Sequence, residues 1–311
     1  MADKIATREA YGKALAELGD TYDFFVMDAD LSGSTKTGVF AKKFPNRFIN
    51  CGIAEGNMMS TAAGIATTGK TVFASSFAVF ASGRAFEQIR NSIAYPCLDV
   101  KIAATHAGVS VGEDGATHQG IVDMSVMRSL PNMVVINPAD AVEAECAIKA
   151  AIEHKGPVYL RLGRLSVPVL FDKETYKFEL GKGQTIADGD DITIIATGLM
   201  TTESVQAVEE LKAEGINARL INIHTIKPID KDIIIKAAKE TGNIVTVEEH
   251  SIIGGLGSAV AEVLSEEAPC KLTRIGINDE FGQSGKPADL LDFYGLNAKH
   301  IAKKVKEILG K

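Results

Sequence analysis

What most limits the fold of this chain is a rhythm. Short β-branched or aromatic runs alternate with segments of helical period, from "FFVMDAD" (24–30) to "VYLRLG" (158–163) and again from "ITIIATG" (192–198) to "KLTRIGI" (271–277). Alternation of this kind lays strands side by side in a parallel sheet with helices on both faces, because each crossover helix returns the chain to a sheet edge. The first unit reads as helix 7–20, strands "FFVMDAD" and "RFIN", helix 54–69, strand "TVFASSF", helix "GRAFEQIRNSIAY", strand "VKIAATH", helix "IVDMSVMRSL", strand "MVVIN", helix 141–154 and strand "VYLRLG". Residues 169–190 carry charge and glycine without a sustained period and read as a linker. The expected organisation is α/β, with two doubly wound parallel-sheet domains, 1–168 and a smaller 191–311.

A chain of 311 residues with 46% hydrophobic content can bury a core in each unit. Its net charge of −7, with no clustering of Lys and Arg, argues against a nucleic-acid partner. No apolar run reaches the roughly 18 residues of a membrane span, and "MADKIATREA" is charged where a signal peptide is apolar. The expectation is a cytoplasmic protein without a membrane partner. Cys51, Cys97, Cys146 and Cys270 lack CxxC or Cys/His metal spacing and are expected to be reduced and mostly buried.

In open parallel sheets, ligands bind beyond the carboxyl ends of the strands. There the first unit carries Asp28, Asp30, Ser32 and Ser34, then Glu55, then Phe77 and Phe80, then His106, then Arg164. The long polar loop "AGVSVGEDGATHQG" (107–120) adds Asp114 and His118. Each residue has a plainer role open to it: Glu55 at a helix N-terminus, the phenylalanines in the core, Asp114 in a turn, His118 at the surface, Arg164 over a sheet edge. Their common location favours one polar crevice. The glycines of "IIGGLGSAV" (252–260) miss the GxGxxG spacing and read as a close turn, and no GxxxxGK[ST] phosphate loop occurs.

Several motifs in fixed order carry a family resemblance over essentially the whole chain. "GIAEGNMMSTAAGIA", "SSFAVFASGRAFEQIRNSI", "THAGVSVGEDGATHQG" and "GPVYLRLGR" resemble the pyrimidine-binding domain of thiamine-diphosphate enzymes of the transketolase group. "IIATGLMTTESVQAVEELKAEGI" and "VEEHSIIGGLGSAVAEVL" resemble that group's carboxy-terminal domain. The domain that holds the diphosphate and metal in full-length members has no counterpart here. The resemblance therefore implies the carboxy-terminal subunit of a split transketolase. Its expected partner is an amino-terminal subunit that binds the diphosphate with Mg or Ca, in an α2β2 heterotetramer. The implied reaction moves a two-carbon ketol unit between sugar phosphates. Glu55 matches the glutamate that hydrogen-bonds the cofactor's aminopyrimidine nitrogen, Phe77 and Phe80 match aromatics packed on that ring, and Asp30 matches an aspartate near the cofactor. Gly83 stands where transketolases carry a further tyrosine. His106 and His118 match histidines of proton transfer and sugar binding, and Asp114 matches a reader of a donor hydroxyl. Arg8, Ser34 and Arg164 match groups that hold the sugar phosphate. A 1-deoxyxylulose-5-phosphate synthase-like subunit and a non-catalytic assembly subunit are the alternatives.

Overall fold

The computed structural model describes residues 3–311. The strands are β1 (Lys4–Ala6), β2 (Phe24–Asp28), β3 (Phe48–Asn50), β4 (Thr71–Phe77), β5 (Val100–Thr105), β6 (Val134–Ile136), β7 (Val158–Arg161), β8 (Ser166–Pro168), β9 (Gln184–Ala187), β10 (Ile192–Ala196), β11 (Ala218–Asn222), β12 (Thr225–Lys227), β13 (Asn243–Ser251) and β14 (Lys271–Ile277). Seven form one sheet in the order β12-β6-β7-β5-β4-β2-β3, and five form a second in the order β14-β13-β10-β11-β9. Every residue of β4 is buried, as a central strand covered by helices on both faces requires. Helix Glu55–Ala66 shows how the cover works: Met58, Met59, Ala62, Ala63 and Ala66 recur at helical spacing and are all buried. The first sheet reverses its strand order between β2 and β4, and the second between β10 and β13. A crevice opens at each reversal.

The parallel sheets are finished by antiparallel edges that the sequence rhythm does not announce. Strand β12 pairs antiparallel with β6, so the first sheet takes its last strand from beyond β11. Strand β9 pairs antiparallel with β11 and lies inside the stretch expected to be irregular. Strands β1 and β8 form a separate antiparallel ribbon. At three or four residues each, these strands are too short to carry a period. The helix expected over 83–95 begins at Ala78, directly after β4, breaks at Ala85, and resumes as Phe86–Gln88 and a π-helical stretch Ile89–Ala94. The thiols also depart from expectation. All four cysteines are free but none is fully buried, and Cys97 is exposed in a left-handed turn leading to β5.

Helices Pro287–Phe293 and Ala298–Leu309 complete the second unit. Buried polar bonds as well as apolar contact join the two units. Glu143, on helix Ala141–Glu153, accepts from the Ala139 amide (2.6 Å), from Asn222 Nδ2 at the end of β11 (2.8 Å) and from the Tyr176 hydroxyl. Its burial lifts the carboxyl to about 7. No helix among the described residues is long and apolar enough to cross a membrane.

Candidate active site

The ribbon of β1 and β8 explains how two distant arginines come to share a cleft. Arg8 stands just beyond β1 and Arg164 just before β8, and the pairing Ala6↔Ser166 brings these flanks together. The Gly163 amide donates to Thr7 Oγ1 (2.8 Å) and extends the pairing. Arg8 and Arg164 line a cleft of about 370 Å³ with Ser110, Glu113 and Pro287. Arg8 Nη1 donates to the Ser34 carbonyl (3.0 Å) and to His106 Nε2 (3.1 Å). Arg164 Nη1 donates to the Val111 carbonyl (2.5 Å) and lies 3.5 Å from the Glu113 carboxylate. Burial lowers the pKa of Arg8, and the positive charge of Arg164 lowers it further. Two like charges facing one cleft are relieved by an anion.

His106 follows β5 in a left-handed conformation, φ 57°. A guanidinium can only donate, so the bond from Arg8 makes Nε2 the unprotonated nitrogen. Nδ1 then carries the proton and donates to Thr105 Oγ1 (2.9 Å). Burial, with Arg8 and Arg164 nearby, holds the imidazole at a pKa of about 3, so it is neutral near pH 7. Its ring stacks on Phe77 at 3.8 Å, and Phe77 stacks on Phe80 at 5.8 Å with 14° between planes. His118 presents its edge to Phe80 at 5.3 Å, and its Nδ1 meets Thr117 Oγ1 at 2.9 Å. Arg8, Arg164, His106, Phe77, Phe80 and His118 are thus brought together.

The remaining expected site residues stand around this group. Glu55 opens helix Glu55–Ala66, is 4% exposed, and its carboxylate has no hydrogen-bond partner among the described residues. That helix packs against Ala78–Arg84, which carries Phe80. Asp30, exposed and at φ 66°, exchanges bonds with Asn50 at the end of β3 (3.1 and 3.2 Å). Ser34 meets Arg8 through its main-chain carbonyl. Its segment is fixed by the buried Asp28, which accepts from the Leu31 amide, Thr35 Oγ1 and Thr37 Oγ1 at 2.5–2.8 Å. Asp114 lies exposed on its loop, and Gly83 is exposed on its helix with open space where a side chain would project.

Sequence reasoning passed over Arg161 and Glu249. Arg161, buried at the end of β7, pairs with Asp123 (2.9 Å) and donates through Nη2 to the carbonyls of Gly120 (3.0 Å) and Glu249 (2.9 Å). The signal available was the doublet Glu248-Glu249 directly after the β-branched run 244–247.

Two family models together span most of the chain: the transketolase pyrimidine-binding domain over residues 3–169 and the transketolase C-terminal domain over 181–301. A chain of Methanocaldococcus jannaschii, provisionally described as a transketolase C-terminal section, is 55% identical over 98% of this chain and 96% of its own length. Human transketolase is 39% identical over 100% of this chain but only 50% of its own length. A solved structure titled as a split-gene transketolase, inactive beta4 tetramer, superposes with a TM-score of 0.91 at 55% identity, covering 98% of this chain and 99% of that one. The chain belongs to the transketolase family of thiamine-diphosphate enzymes and corresponds to its pyrimidine-binding and carboxy-terminal domains.

Proposed function

We propose that the chain is the carboxy-terminal subunit of a two-chain transketolase that moves a two-carbon ketol unit from a ketose phosphate to an aldose phosphate. One observation carries this reading: Arg8, His106, Phe77 and Phe80 form a continuous array, so an anion-binding end and an aromatic platform are joined by a single imidazole. A sugar phosphate held by Arg8 and Arg164 would extend along His106 toward a flat ring on the phenylalanines.

The residues present fit the aminopyrimidine end of thiamine diphosphate. A carboxylate on a largely buried side chain, without a protein donor, suits a ring nitrogen, and two near-parallel phenyl faces suit a flat heterocycle. When bound, thiamine diphosphate supplies the carbon nucleophile. Glu55 shares a proton with the pyrimidine nitrogen and Asp30 stands nearby. His106, neutral with Nε2 occupied, orients Arg8, while proton transfer to sugar oxygens falls to His118. Asp114 reads a donor hydroxyl. Because the chain spans half of a single-chain transketolase, the diphosphate and its Mg or Ca fall to an amino-terminal partner, two copies of each chain forming α2β2. The solved relative titled as an inactive tetramer of one chain type supports that need.

The chain alone should show no ketol transfer and should gain it on adding the diphosphate-binding subunit. Within the complex, Arg8→Ala and Arg164→Ala should each lower kcat/KM for xylulose 5-phosphate about ten- to a hundredfold. Turnover of hydroxypyruvate, which has no phosphate, should stay near normal. Activity of the purified chain by itself, or equal losses with both donors, would overturn the assignment.

A further inference from the structure

Toward its end, strand β13 carries Glu248 and Glu249, both buried. Successive strand residues face opposite ways, and the two carboxylates serve different masters. Glu248 stays within its own unit, accepting the amides of Leu256 (2.7 Å) and Gly257 (2.8 Å) at the start of helix Leu256–Glu267. Glu249 reaches into the first unit, where its Oε1 accepts the Ser110 amide at 2.5 Å. Gly108, at φ 81°, lies so close that a Cβ there would overlap the Glu249 carboxyl.

These contacts close a ring at the base of the loop that carries Asp114 and His118. The Gly108 amide donates to the Gly120 carbonyl (2.9 Å), and Arg161 Nη2 ties that carbonyl to the carbonyl of Glu249. Gln119 adds a second tether, donating to the carbonyls of Val109 (3.2 Å) and Gln283 (2.9 Å). The loop therefore hangs from the carboxy-terminal unit as much as from its own sheet. We infer that Glu249 is a positioning residue: through Ser110 and Gly108 it sets the Gly108–Gln119 loop so that Asp114 and His118 meet the hydroxyls of the donor sugar. The inference rests on the ketol-transfer reading for its substrate and on the contacts above for the clamp.

The two parts are tested separately. In the intact chain, amide exchange across 107–120 should quicken in Glu249→Ala and return toward wild type in Glu249→Gln, whose amide oxygen can still accept from Ser110. In the reconstituted enzyme, Glu249→Ala should raise KM for xylulose 5-phosphate by about tenfold or more and lower kcat as His118 is displaced, with cofactor affinity little changed. KM for hydroxypyruvate, which lacks the hydroxyl-bearing carbons beyond its carbonyl, should hardly move. Unchanged exchange in Glu249→Ala, Glu249→Gln as impaired as Glu249→Ala, or equal losses for both donors would overturn the inference. A wild-type complex without ketol transfer would instead sink the functional reading and leave the exchange experiment to decide the clamp.

Discussion

The two sheets end in similar crevices and treat their polar residues in opposite ways. At the first reversal point Glu55 is buried with no partner among the described residues, and Arg8 and Arg164 face an open cleft. At the second, Glu248 takes two helix amides, and Glu249 takes a third amide. His250 donates from Nδ1 to the Ser251 carbonyl (2.7 Å), while its Nε2 faces the Ser125 amide (3.4 Å). Both places collect charge at strand ends, but the carboxylates of the second are taken up by main-chain amides while Glu55 has no partner among the described residues. The second crevice spends its carboxylates on holding the molecule together, and the first leaves Glu55 free for the ligand that the proposed function assigns to it.

The sharpest way to break this contrast is to change one carboxylate from each crevice. Glu55→Gln keeps size and shape but cannot share the proton, so kcat of the reconstituted enzyme should fall about 10²- to 10⁴-fold at saturating cofactor. Urea unfolding of the chain should be unaltered. Glu248→Ala should do the reverse, stripping two helix amides of their acceptor at a cost of about 2–4 kcal/mol in unfolding free energy while activity per folded complex is kept. Near-normal turnover in the first variant, or lost activity without lost stability in the second, would erase the distinction.

A smaller effect sharpens the same contrast through pH. Burial holds His250 at about 4, below the usual 6.5, so the unfolded chain binds this proton across that interval and the native state does not. The contribution of His250 to stability is present above 6.5 and is lost as pH falls toward 4. Relative to His250→Gln, the wild type should lose about 1.4 kcal/mol per pH unit over that range. Glu248 has the opposite sign. Burial lifts it to about 7 from 4.5, so its cost appears as pH rises through that window, and Glu248→Gln should relieve it. Unfolding curves between pH 4 and 7 that show no such opposed differences would mean that these groups are not held as buried as the structure has them.

Much of the first crevice was legible because strand ends can be placed from the β-branched runs: Phe77 ends one, His106 and Arg164 stand just past two others, and Glu55 lies a short turn beyond β3. The neighbourhood of Arg8 and Arg164 came only from the family resemblance and not from the pattern, since it depends on a three-residue ribbon with no periodicity of its own. The second crevice was passed over for a similar reason. "VEE" announces charge at a strand end, but whether a carboxylate is satisfied depends on a loop 139 residues earlier in the chain, whose Ser110 amide it binds. Side-chain satisfaction is a tertiary property, while strand position is nearly a local one. The antiparallel edges β9 and β12 were likewise invisible, because partners far along the chain supply the order that four residues cannot.

Glycines give the last and smallest comparison. At Gly255, beside Glu248, a Cβ would overlap the carboxylate that accepts the helix amides, so Gly255→Ala should disrupt the second crevice. Gly83, on helix Ala78–Arg84, has nothing within 4 Å of the place where a Cβ would project. Gly83→Ala should therefore stabilise the chain by about 0.5–1 kcal/mol, chiefly by restricting the unfolded state, and leave cofactor affinity unaltered. Gly83→Tyr puts a ring three residues after Phe80, on the same helix face. If this wall of the first crevice stands open to the cofactor, the ring should tighten thiamine diphosphate binding by less than about tenfold, the size of one added aromatic contact. Calorimetric titration of the reconstituted enzyme reads the affinity, and urea unfolding of the chain reads the stability. A Gly83→Ala variant less stable than wild type would show that the space beside the helix is already filled, and the picture of an open crevice with one wall missing would have to be abandoned.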